Sequence, residues 1–251
     1  MRLSGSEPQF DADDVPILGN NCYDYAFGDY RPSPKSRSHK IRNSNGNIVN
    51  RVPRYNKTEP GSAIGKIGTT FRTCGTGKNS MRARILYDNP RTVYALPRGK
   101  DSQPCKNGYY KVMSFVGTST DGHMYGDFHF YKQVGAVRYR TQKGDTTKSI
   151  AKFFRVKESV IKEAMKHSTA QRNAVDGMYN DRVSEPTGRI LKFPVNLWAH
   201  KQGWGTRPML VDASGKTIED PRKANRKYGV DYNILCGSYC VRSGKAITGN
   251  S

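Results

Sequence analysis

The sequence predicts an α+β chain in which a domain built from a helix packed on an antiparallel sheet is interrupted by a small βααβ unit. Three observations predict it. Between Tyr139 and Pro194 a short strand, a turn, two helical stretches and a second strand follow one another. Ahead of them, a helix start at Asn20-Asn21-Cys22 and an alternating strand over Asp127 to Lys132 belong to another pattern. Beyond them, Leu197-Trp198-Ala199-His200-Lys201 reads as the hairpin partner of that strand, as if the βααβ unit had been looped out. The division is then 1–134, with a basic arm at 31–58, followed by the insertion 135–196 and the second part of the first domain, 197–251.

Taken in order, Asn20 or Asn21 caps a short helix that begins at Cys22, because an amide oxygen there can accept free N–H groups of the first turn. Residues 31–58 hold eight Lys or Arg and no Asp or Glu, with prolines at 32, 34 and 53. Such a segment buries too little apolar surface to offset its own ordering entropy, so neighbours in a large assembly are expected to order it. Gly75-Thr76-Gly77-Lys78 lacks the full spacing of a phosphate loop and reads as a turn. Met81 to Leu86 fits a short strand or a helix, and Gly108 to Val116 an aromatic-rich strand. In Asp127 to Lys132, His129 and Tyr131 share one face and Phe128 and Phe130 the other.

Within the insertion, the strand ends in Lys143-Gly144-Asp145-Thr146, where Asp145 or Thr146 can cap the next helix. Ile150, Ala151, Phe153 and Phe154 at helical spacing predict its buried face, and Val160, Ile161 and Ala164 a second helix. Arg189 to Pro194 alternates like a short strand stopped by proline.

Length and charge bound the function. A chain of 251 residues accommodates one domain or two. The balance of 42 Lys and Arg against 21 Asp and Glu gives +21, which attracts polyanions: nucleic acid, acidic polysaccharide, anionic membrane or acidic proteins. The charge is spread, with 13 basic and 6 acidic residues in 135–195, the same proportion as elsewhere. No zinc-finger, RNA-recognition or helix-turn-helix signature accompanies it, so nucleic acid is possible but not favoured. No apolar run is long enough for a membrane span, and the first residues lack the hydrophobic core of a signal peptide. For the five cysteines, Cys22, Cys74, Cys105, Cys236 and Cys240, buried thiols are the leading expectation, with one or two disulfides or a metal site as alternatives. No cofactor and no metal are called.

The run Tyr139 to Thr147, with Ser149 to Phe154, Val160 to Ala164 and Gly188 to Pro194, resembles a LysM domain. That resemblance implies a βααβ fold, a ligand made of N-acetylglucosamine such as peptidoglycan or chitin, and contacts from Gly144, Asp145, Thr146, Thr147 and Arg189. The stretches around Cys22 and His129 resemble the papain-like fold, most of all its NlpC-type branch of wall peptidases and amidases. From that resemblance Cys22 is the nucleophile, His129 the general base and acid, and His200 the group that orients His129.

Gly203 to Gly205, Val211 to Lys216, Asp220-Pro221, Ala224 to Arg226 and Cys236 to Cys240 are similar to segments of proteins of large DNA viruses and some bacteria. Together the resemblances imply a structural, virion-associated minor capsid protein, with a glycan-binding module on a papain-like scaffold. Its partners would be other capsid proteins and a wall polymer, and its location the virion. The alternative is an active cell-wall cysteine peptidase or amidase using Cys22, His129 and His200, so the chain's standing as an enzyme is left open.

Overall fold

A computed structural model describes residues 1–11, 20–29, 59–61, 74–119, 126–170, 188–203 and 206–246, with the backbone of 39–42 and 48–51. The order is β1 (Gln9–Asp11), α1 (Cys22–Phe27), β2 (His39–Arg42), β3 (Ile48–Arg51), α2 (Met81–Asp88), β4 (Val93–Ala95), β5 (Tyr109–Ser119) and β6 (Gly126–Arg140). Then follow α3 (Thr147–Phe154), α4 (Glu158–Lys166), β7 (Thr169–Ala170), β8 (Arg189–His200) and β9 (Val230–Arg242). A 3-10 turn at Gly77–Asn79 precedes α2. Of the basic arm, only the backbone of the antiparallel β2–β3 pair lies among the described residues.

Seven strands form one mixed sheet in the order β4-β9-β5-β6-β8-β7, antiparallel throughout except that β1 runs parallel to β6. The architecture is therefore α+β. Two strands organise it. The first half of β6 pairs with β5 and its second half with β1, while β8 follows it from Tyr131↔His200 to Arg140↔Ile190. α3 and α4 connect the far ends of these two strands, so the βααβ order predicted for Tyr139 to Pro194 is present.

The strands do not stop where the sequence suggests. Pro194 was expected to end its strand, yet β8 continues through it to His200. Among the described residues β7 pairs only with Arg189 and Ile190, so no strand described there needs an N–H from Pro194. On β6 the register slips between Val134 and Ala136. Gly135 occupies that irregularity, and a Cβ there would meet the Glu7 Cβ at 3.0 Å, which is how β1 closes onto the strand.

Among the described residues four apolar clusters form, the smallest being Leu96 with the Cys105–Cys240 bridge, and the other three fill the layers. One joins α1 and α2 to the sheet through Tyr23, Ala26, Phe27, Met81, Ile85, Val116, Phe128, Phe130 and Tyr239. A second lies under α3 and α4 and includes Val137, Ile150, Phe154, Ile161, Leu191 and Phe193. The third covers the other face of β5 and β6 with Met113, Phe115, Tyr131, Trp198, Ile218 and Tyr232. Phe153, expected in the buried face of α3, is 45% exposed, because the turn that buries Ile150 and Phe154 directs its neighbour outward.

The cysteines also depart from the leading expectation. Cys74–Cys236 and Cys105–Cys240 are disulfides, and Cys22 is a buried free thiol. Both bridges anchor distant connections to β9, in which Cys236 and Cys240 lie four residues apart.

Candidate functional site

α1 is short, and its position is set by side-chain bonds at both ends. Asn21 caps it: its side-chain oxygen accepts from the N–H groups of Tyr23 at 2.8 Å and Asp24 at 3.1 Å, and Asp24 accepts from the Asn21 N–H at 3.1 Å. At the other end the Lys132 ammonium donates to the Tyr25 carbonyl at 3.1 Å and lies 3.7 Å from the centre of its ring, while the Tyr110 hydroxyl donates to the Ala26 carbonyl at 2.9 Å. Gly28 then closes the helix at φ 70°, a left-handed turn that glycine enters without strain. The helix lies against the Phe128 and Phe130 side of β6, and the Cys22 thiol donates to the Phe128 carbonyl at 3.7 Å. Its sulfur thus meets the strand at the residue before His129.

The sheet register assembles the histidines. Tyr131 is directly opposite His200, so His129, two residues along on the same face, is its diagonal neighbour. His129 Nε2 and His200 Nδ1 are 2.9 Å apart. On its far side, His200 Nε2 lies 2.8 Å from the Val211 carbonyl and 3.2 Å from the Tyr228 hydroxyl. Tyr228 and Tyr232 flank the His129 ring, with centroids at 5.7 and 5.0 Å, and the Tyr232 hydroxyl donates to Asp127 at 2.8 Å.

Burial decides the charge of the pair. It pushes His129 well below its ordinary range, with the neighbouring His200 adding to the effect. Burial also pushes His200 down to about 4, partly opposed by the Val211 carbonyl and Asp212. At neutral pH both rings are neutral.

The segment that supplies Val211 and Tyr228 is folded by its own polar groups. Asp212 accepts main-chain N–H groups of Ser214, Lys216 and Asn225 at 2.8 to 3.0 Å, and, against the effect of burial, these hold its carboxyl below the usual range. Arg226 donates to the carbonyls of Pro221, Ala224 and Tyr232 and lies 4.6 Å from the Phe115 ring centre. Met209 and His200 exchange main-chain bonds at 2.8 and 2.9 Å, which carries the chain past the histidine.

Val211, Tyr228, Tyr232 and Lys201 were not singled out by sequence reasoning. Lys201 is fully buried and donates to the Gly203 carbonyl. Burial pushes its ammonium down to about 8, while Cys22 and Asp24 act to raise it, so a buried cation faces the thiol-bearing helix.

The five residues named for sugar contact line one cleft. A cavity of about 510 Å³ is bounded by the 141–147 turn, Ile150, Met165 and Arg189. Three of them also carry local structure. The Asp145 carboxylate accepts from the Tyr139 hydroxyl and the Gln142 N–H, both at 2.7 Å. Thr146 caps α3 through a reciprocal pair with Ser149, and the Thr147 hydroxyl donates to Glu158 at 2.8 Å. These three build the rim, and the Lys143 and Arg189 side chains line the same cleft.

Among the described residues no cluster of three or more His, Cys, Asp or Glu is arranged to hold a metal, and the disulfides consume the four cysteines of the possible zinc set. No helix among them is long and apolar enough to cross a membrane. Comparison of the chain with protein families, curated proteins and solved structures finds no match.

Proposed function

We propose that the protein is a papain-like cysteine hydrolase of the NlpC type, which cuts an amide bond in an N-acetylglucosamine-containing wall and is held there by a LysM-like unit. The observation that supports the proposal is the His129–His200 contact at 2.9 Å, with the Cys22 thiol, which lies outside both disulfides, meeting the same strand one residue earlier at the Phe128 carbonyl. In this reading the Cys22 thiol gives its proton to His129 as sulfur bonds to the scissile carbonyl carbon. The imidazolium returns that proton to the leaving amine as the C–N bond breaks. Water, deprotonated by the same imidazole, then hydrolyses the thioester and restores the thiol. His200 keeps the His129 ring in place between steps. A cleft on the same two strands raises the local concentration of wall, so weak sugar binding suffices.

The test is the pH dependence of Cys22 alkylation by iodoacetamide, followed by mass spectrometry in the native protein and in His129→Ala. A reactive thiol whose profile depends on His129 supports the hydrolase. An alkylation rate indifferent to His129 overturns it.

A second reading draws on burial. Cys22 is 6% exposed, His129 3% and His200 0%, a degree of enclosure that suits a scaffold as well as an enzyme. Here the protein is a virion-associated minor capsid component that contacts other capsid proteins through its basic surface and a wall polymer through the cleft. Cys22→Ala would then leave particle incorporation and wall pull-down unchanged, with no wall-peptide cleavage by the parent protein.

A further inference from the structure

We infer that the main-chain carbonyl of Val211 sets the proton positions of both histidines, so that His129 holds its Nε2 proton toward His200 and keeps Nδ1 as an open base. The inference rests on the hydrolase reading for its use, but its own argument is geometric.

A carbonyl oxygen can only accept. At 2.8 Å from His200 Nε2, it would face lone pair against lone pair unless that nitrogen carried the proton. The Tyr228 hydroxyl could donate to a bare Nε2, but at 3.2 Å it is the longer contact and would leave the carbonyl repelled. Neutral His200 is therefore protonated on Nε2, and its Nδ1 is an acceptor. His129 Nε2, 2.9 Å away, must then be the donor. A neutral imidazole has one N–H, so His129 Nδ1 is left unprotonated. The order runs His129 Nε2–H to His200 Nδ1, then His200 Nε2–H to Val211 O.

Val211 is a positioning group in this scheme, since its carbonyl touches His200 and not the reacting atoms. The direction matters because the opposite order, with His129 protonated on Nδ1, would leave its single acceptor lone pair on Nε2, already engaged by His200. The Asp212 loop and the Arg226 contacts, which hold the segment against His200, are what keep the acceptor in place.

The experiment is long-range ¹H–¹⁵N NMR on the full chain with ¹⁵N-histidine at neutral pH, with His129 and His200 assigned by single His→Gln variants. The expected result is Nε2–H on both rings, favoured at least about tenfold because the alternative leaves buried groups unpaired. Tyr228→Phe should leave both tautomers unchanged. Nδ1–H on either ring, or a tautomer switch in Tyr228→Phe, would overturn the inference. The NMR readout needs no catalysis, whereas the alkylation test needs no tautomer, so failure of one is distinguishable from failure of the other.

Discussion

The two ends of the β6–β8 hairpin are held together by different means. Around the histidines, side chains are locked by buried polar bonds and by disulfides reaching β9. At the far end, α3 and α4 rest on an apolar cluster, and the ion pairs there, Lys162–Glu158 and Lys166–Glu163, lie on the surface. Such exposed pairs contribute little. Precision is concentrated where proton positions matter, and ordinary packing serves where a cleft needs only shape.

The largest effect expected from breaking this contrast is reduction of the disulfides. The Cys105–Cys240 bridge spans 135 residues, and the chain-entropy treatment assigns a loop of this size about 5 kcal/mol. Hydrogen exchange under reducing conditions should show β9 losing protection while α3 keeps it. Equal loss in both would mean that the hairpin unfolds as one piece.

The converse is Phe154→Ala. Phe154 is 3% exposed and packs its ring 5.1 Å from both Tyr139 and Phe193, so truncation should cost about 3–5 kcal/mol. The loss should appear in α3 and α4 amides, with Cys22 alkylation unaltered.

Acid sharpens the comparison from the histidine end. The unfolded chain takes up protons on these histidines below about pH 6.5, whereas folded His200 stays neutral to about 4. Stability should therefore fall as pH drops through that window, by about 3 kcal/mol for His200, with His129 adding to it in the same direction. Urea unfolding at pH 7 and 4.5 measures this, and His200→Asn should flatten the slope. The smallest effect is Thr146→Ala, which removes the α3 cap for about 1 kcal/mol. It should lower the thermal midpoint slightly and leave the histidine tautomers untouched.

Local chemistry was legible in the sequence. Thr146 and Asn21 announced their caps, Ile150 and Phe154 their buried face, and the pairing of the His129 strand with Leu197 to Lys201 followed from reading two alternating runs as one hairpin. Long-range consequences were not. Pro194 reads as a stop, but β8 runs through it, and the register slip at Gly135, where β1 approaches closely, leaves no mark in the local pattern. The disulfide partners lie 162 and 135 residues apart, and no spacing rule pairs them. Val211 acts through its carbonyl, which every residue possesses, so no side chain could signal it. The bonds of Asp145 to the Tyr139 hydroxyl and the Gln142 N–H depend on the folded turn, which a residue list does not show.

Arg189 at the cleft and His200 at the buried pair are the two ends of one uninterrupted strand. At the usual rise per residue they are separated by roughly 36 Å of extended backbone. A bulge at Val195 and Asn196, opposite Gly135, bends β8 between them, and pairing with β6 on both sides of it sets the separation. On the proposed hydrolase reading, a polymer gripped at one end would present its bonds to the other at a set distance, and its repeat length would decide which of them come within reach.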